Sequence, residues 1–157
     1  MNNNSSVFSP FAISIYAKAS YLKHNSMSKF EKARLLESIS DDIKKCTTFT
    51  KPKISKAALV KSAVLNIDLH KMNWHNQNKF DPGRKIFHYE HYITVSNIRN
   101  ICLRSENEDD ILRILISIPQ IVWILKEEDN KLTKLGYRSK RSNPEEAYWK
   151  AEIEIVE

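Results

Sequence analysis

Lys85-Ile86-Phe87-His88-Tyr89-Glu90-His91-Tyr92-Ile93-Thr94-Val95 is the stretch on which the fold turns, together with Ile121-Val122-Trp123-Ile124-Leu125 further on. Aromatic and β-branched residues fill the first, and the second is a short apolar run. Both compositions suit strands, the second one buried. A polar segment from Trp74 to Arg84 precedes the first strand and ends in a Pro82-Gly83 turn. The second strand runs straight into Lys126 to Leu135, which reads as a helix with Leu132 and Leu135 inward. Glu127 and Lys131 stand in the order favoured at i, i+4, and Gly136 is the natural stop.

Between the two strands, Ser96 is expected to cap a short helix through Leu103. An acidic turn from Ser105 to Asp110 leads to an apolar helix over Ile111 to Ile116, stopped by Pro119. After Gly136 a basic loop, Arg138 to Arg141, precedes a helix at Pro144 to Ala151 and a last short strand. Towards the start of the chain the pattern is helical. Residues 1 to 9 read as a disordered lead, and Phe11 to Tyr21 as a helix. Ser28 opens a better one, because Glu31 three residues on completes a capping box, and Phe30, Ala33, Leu36, Ile39 and Ile43 form a stripe. Pro52 breaks the chain, and Ser55 starts a third helix with Ala57, Val60, Val64 and Ile67 inward. The expected architecture is α+β: an N-terminal helical part over residues 1–73, then a small mixed unit over residues 74–157 with flanking helices. A single compact domain overall is the alternative.

Composition removes several functional classes. Gly83 and Gly136 are the only glycines, which leaves no material for a glycine-rich phosphate cradle. Cys46 and Cys102 stand apart and outside any Cys-x-x-Cys pair, so two buried thiols are expected rather than a zinc ribbon or a disulfide framework. His70 and His75 bracket Trp74 with no cysteine nearby, and no zinc site is expected there either. Trp74 and Trp123 read as packing residues. No apolar run approaches the roughly 20 residues of a membrane span, and the polar Met1 to Ser6 does not resemble an export signal, so a cytoplasmic protein without membrane partners is expected. Nothing supports Ser-His-Asp or Cys-His catalysis. The net charge of +6 fits a partner made of phosphates, and equally an acidic protein.

The chemistry concentrates in Glu90-His91-Tyr92-Ile93-Thr94-Val95-Ser96 and in Val122-Trp123-Ile124-Leu125-Lys126-Glu127-Glu128-Asp129-Asn130-Lys131. In order and residue type these blocks resemble the HNH branch of the His-metal, or ββα-metal, nucleases, over roughly residues 80 to 135. The resemblance implies a ββα-metal-like unit that hydrolyses DNA phosphodiester bonds with one divalent cation, Mg²⁺ or Mn²⁺. By it, Glu90 is a metal ligand, His91 the general base, and Asp129 or Asn130 the second ligand, with Glu128 a third candidate. Asn97 and Asn100 are the nearest groups to orient the base. An alternative stays open from strand geometry alone. Successive side chains of a regular strand point to opposite faces, so on a straight strand Glu90 pairs with His88 rather than with His91.

Arg84, Lys85, Arg138, Lys140 and Arg141 are the candidate phosphate contacts. The expected function is therefore a metal-dependent endonuclease in restriction, phage defence or a toxin-like role, acting on DNA in preference to RNA. A homodimer or a protein inhibitor would be a further partner. Two rivals belong to other classes: a non-catalytic nucleic-acid-binding regulator, and an inhibitor or immunity module whose basic face meets an acidic protein.

Overall fold

The computed structural model describes residues 4–118 and 121–156. Among them the chain forms an α+β fold of helices and one four-stranded mixed sheet, divided into two compact units. One comprises Met1–Phe49 with Val95–Pro119, the other Thr50–Thr94 with Gln120–Glu157. The division differs from a break at residue 73. The expected boundary follows the change in composition at Trp74, whereas the chain crosses between units at residues 50, 95 and 120.

The first unit is helical: α1 (Asn4–His24), α2 (Lys29–Cys46), α5 (Val95–Cys102) and α6 (Glu108–Ser117). Residues 4–9, expected to be a disordered lead, belong to α1. Burial of Phe8 at the head of a stripe with Ala12, Ile15 and Ala19 holds this turn helical despite Pro10. Within this unit the stripe joins Ile39, Ile43, Ile98, Ile111 and Leu115 in the buried set. The apolar stripe of α2 is buried only at its C-terminal end, since Phe30 is 72% exposed. Pro119, expected to end α6, lies outside the described residues. Cys46 and Cys102 are buried thiols, and burial pushes them up to about 12 and about 11, so neither is a thiolate at neutral pH. No helix among the described residues is long and apolar enough to cross a membrane.

Ser28 caps α2 as expected: its side chain accepts from the Glu31 backbone, and the Glu31 carboxylate accepts from the Ser28 backbone at 2.8 Å. Ser28→Ala should lower the unfolding free energy by about 1 kcal/mol, measured by urea denaturation. No change would mean that the first turn of α2 is too frayed in solution for its cap to count.

The second unit holds β1 (Lys53–Ser55), α3 (Lys56–Val64), α4 (Gln77–Phe80), β2 (Phe87–His91), β3 (Ile121–Leu125), α7 (Lys126–Lys134), α8 (Pro144–Lys150) and β4 (Ile155–Val156). The sheet order is β2-β3-β1-β4, with β1 parallel to β3 and the other two pairs antiparallel. β2 is shorter than the expected 85–95 stretch, because Val95 already begins α5. The register of β2 on β3 sets His88 opposite Ile124 and Glu90 opposite Val122. Val122 and Ile124 pack with Leu132 of α7 and with Ala147 and Tyr148 of α8, so this is the face those helices cover. Trp123 lies in the other cluster, with Ile54, Ala58, Leu69 and Phe87.

Helix α3 is rotated from expectation. Ala58 and Ser62 are buried, while Val60 and Val64 are 62% and 72% exposed. Apolar residues occupy most positions of this helix, so the pattern carries no period. The rotation is set instead by Ser55, which ends β1, caps the Ala58 backbone at 3.1 Å and points Ala58 at the Trp123 cluster.

A candidate metal centre on a strand and a helix

The entry to β2 is fixed before the site begins. Asp81 is 1% exposed and its carboxylate accepts from the backbone N–H groups of Lys85, Ile86 and Phe87. Gln77 donates both to Asp81 and to the Phe87 carbonyl, at 3.2 and 2.7 Å. The preceding turn needs a left-handed residue at Gly83, where φ is 73°. From there β2 runs regularly, so His88 and Glu90 share one face and Tyr89 and His91 the other.

Helix α7 begins at the residue after β3, and its start is equally constrained. The buried Glu128 carboxylate accepts from the Leu125 backbone at 2.8 Å and from the Ser55 hydroxyl at 2.6 Å. Glu128 therefore caps its own helix and ties it to β1. Asp129, the next residue, is turned towards β2.

His88, Glu90 and Asp129 converge. Each offers one ligand atom, and these atoms lie within 4.8 Å of one another. His88 Nε2 is 2.9 Å from Glu90 Oε2 and 3.6 Å from Asp129 Oδ1. On the far side of the ring, His88 Nδ1 is 2.9 Å from Lys126 Nζ. An ammonium can only donate, so Nδ1 accepts from Lys126 and Nε2 carries the proton that goes to Glu90. Arg141 closes the group from the other side. Its Nη2 donates to Glu90 Oε1 at 2.6 Å and to the His91 carbonyl, and its Nε donates to the Tyr92 carbonyl at 3.1 Å. Burial raises the Glu90 carboxyl, but the hydrogen bonds from His88 and Arg141 outweigh it and hold the group below the usual carboxylate range. Burial and the Glu90 charge push the Tyr148 phenol upwards, so it stays protonated.

Of the residues expected to form the site, Glu90 and Asp129 are brought together. His91 projects to the opposite face of β2 from Glu90, and Asn130 is exposed. His88 takes the place that the straight-strand alternative gives it. Arg138 and Lys140 are exposed on their loop, as a phosphate contact requires. Arg141 is a correction: it is 2% exposed and its donors are held by Glu90 and three backbone carbonyls, so it faces inward and does not meet a phosphate. Arg84 stacks on Trp74 with its guanidinium carbon 3.8 Å from the ring centre, while Lys85 is exposed. Nothing in the sequence singles out Lys126. It sits in a run of ordinary helix-surface residues, and only the pairing of β2 with β3 brings it to His88.

Compared with family models, with curated proteins and with solved structures, the chain has no significant match. The case for function rests on the site.

Proposed function

We propose that this protein is a metal-dependent phosphodiesterase acting on DNA, with His88, Glu90 and Asp129 as the ligands of one divalent cation. The observation that carries the reading is the convergence of these three side chains, two from β2 and one from the helix that follows its antiparallel partner β3. We read β2, β3 and α7 as the counterpart of the ββα unit that the resemblance implies, with His88 as a ligand beside Glu90 and Asp129. The donor set fits such an ion. Two ligands at about 2.1 Å from an octahedral ion lie about 3.0 Å (adjacent) to 4.2 Å (opposite) apart, and the His88–Glu90 and His88–Asp129 separations of 2.9 and 3.6 Å match that range. Two carboxylates suit Mg²⁺ or Mn²⁺, and the imidazole nitrogen favours Mn²⁺ of the two.

A bound cation would supply Lewis acidity towards a phosphoryl oxygen and would acidify water. The chain's own residues supply the frame. Arg141 fixes one Glu90 oxygen and leaves the other facing His88, and Glu128 fixes the turn that presents Asp129. For His88 Nε2 to ligate a cation its proton has to pass to Nδ1, and Lys126 then has to leave that nitrogen, because both would be donors. All three ligand residues are half-buried, which leaves access for a substrate phosphate.

One observation favours a second reading. Lys126 and Arg141 already offset the charge of the group, as they would in a purely structural ion-pair network of a non-catalytic DNA-binding protein. Supercoiled plasmid incubated with the full chain separates the two. Nicking is expected with Mn²⁺ and, more slowly, with Mg²⁺, and should stop on addition of EDTA. Intact plasmid under both metals would overturn the nuclease reading and leave the structural one.

A further inference from the structure

A second feature of the same unit borders the metal group. A cleft of about 240 Å³ is lined by Lys61 of α3, Lys85 and Ile86 before β2, Leu125 at the end of β3, and Lys126 and Glu127 at the start of α7. Three lysines line it against one glutamate. Lys61 and Lys85 are exposed, and neither has an ion-pair partner among the described residues. Other exposed lysines show what happens where an acid is in reach: Lys56 pairs with Glu154, Lys71 with Asp68 and Lys150 with Glu146.

The turn before β2 places one of these lysines. Gly83 and Arg84 both take positive φ, 73° and 53°, and this sharp turn delivers Lys85 to the cleft. A side chain at position 83 would press on Lys85, since a Cβ there would lie 3.3 Å from Lys85 Cε. Arg84 is pinned by Trp74 beneath it and by its bond to the Trp74 carbonyl at 3.3 Å. Lys126 belongs both to the cleft and to the site, because its Nζ is the group that holds His88 Nδ1.

We propose that this cleft seats a backbone phosphate of DNA neighbouring the one held at the metal group, with Lys61 and Lys85 as the residues that meet it. The assignment rests on reading His88, Glu90 and Asp129 as a nuclease centre. An ammonium is a compact point charge that binds phosphate without needing a particular orientation. A small cleft with unpaired ammonium groups therefore fits one phosphate and its sugar, with Ile86 and Leu125 as the apolar wall.

The test is fluorescence anisotropy of a labelled DNA duplex in EDTA, titrated with the full-length wild type and with Lys61→Gln/Lys85→Gln over several salt concentrations. The variant should bind more weakly at every sequence tested. The slope of log K against log salt should become shallower by roughly 0.9 for each phosphate that is no longer neutralised. Manganese binding by calorimetry should stay as in the wild type, because neither lysine donates to the group. Unchanged affinity and slope would overturn the proposal, whatever the plasmid assay shows. So would poly-glutamate displacing the duplex as well as unlabelled DNA does at equal charge, because the cleft would then read charge and not phosphate. Loss of DNA affinity in the variant, with a wild type that cuts nothing, would support the cleft as a DNA seat while removing the nuclease reading. The two can thus fail separately.

Discussion

Arg141→Met is expected to destabilise the fold by about 3–5 kcal/mol at neutral pH. The Arg141 side chain has no exposed surface, and it donates to the Glu90 carboxylate and to the carbonyls of His91, Tyr92 and Tyr137. Methionine fills much of the volume but leaves a half-buried carboxylate and three carbonyls without their donor, and the cost of such stranded groups exceeds the worth of the bonds themselves. The effect should depend on pH. In the wild type Glu90 is held below the usual carboxylate range. A carboxyl depressed in the folded state adds stability that is fully present above its unfolded value, about 4.3. That stability is lost as pH falls through the folded value. Without Arg141, burial acts on Glu90 with only His88 opposing it, and protonation then relieves the folded variant. The penalty should therefore be largest near pH 7 and shrink towards pH 4. Urea denaturation of both proteins at the two pH values measures it. A difference under about 1 kcal/mol at pH 7 would be that of an exposed ion pair, and would mean that the loop carrying Arg141 is not docked in solution. Glu90→Gln added to Arg141→Met should recover part of the loss, since the two residues share one interaction.

Cleavage should fall by a factor of order 10² or more in His88→Ala and again in Asp129→Ala. If both residues serve one ion, the double variant should be no worse than the poorer single one, because removing a second ligand from a site already disabled costs little. Manganese binding by calorimetry should disappear in step. The side chains are 30% and 22% exposed, so the folded state should survive both changes, and a thermal melt checks this. His91→Ala is the control that separates the geometry from the resemblance. With His91 on the opposite face of β2, its removal should leave most of the activity. An inactive His91→Ala beside an active His88→Ala would return the general base to His91 and overturn the metal group as described.

Much of the fold is legible in the residues, and for identifiable reasons. Local signals with a mechanism read directly: the Ser28–Glu31 box, the Ser55 cap, the apolar strand at residues 121–125 with its helix behind, and Gly136, which takes a φ of 81°. The period-2 rule places His88 and Glu90 on one face of a straight strand from the sequence alone. What does not read depends on long-range pairing. The inward turn of Arg141 is decided by Glu90 and the end of β2, so a charged loop that looks solvated from its neighbours proves to be half core. Helix α3 gives no direction, because its apolar residues face every way. The unit boundary is hidden because a three-residue strand at residues 53–55 carries too little pattern to announce itself as part of the sheet.

That small strand governs how the chain can be cut. β1 lies between β3 and β4, paired to both. A fragment starting at Trp74 would keep His88, Glu90 and Asp129 but lose the strand in the middle of the sheet. β4 would have no partner, β3 would present an open row of N–H and C=O groups, and Trp123 would lose Ile54 and Ala58 from the cluster around it. An unpaired apolar edge of this kind invites pairing with other chains. Trimming the chain to the half that holds the metal group is therefore a route to aggregates, and limited proteolysis that severs residues 50–55 should abolish manganese binding even with His88, Glu90 and Asp129 retained.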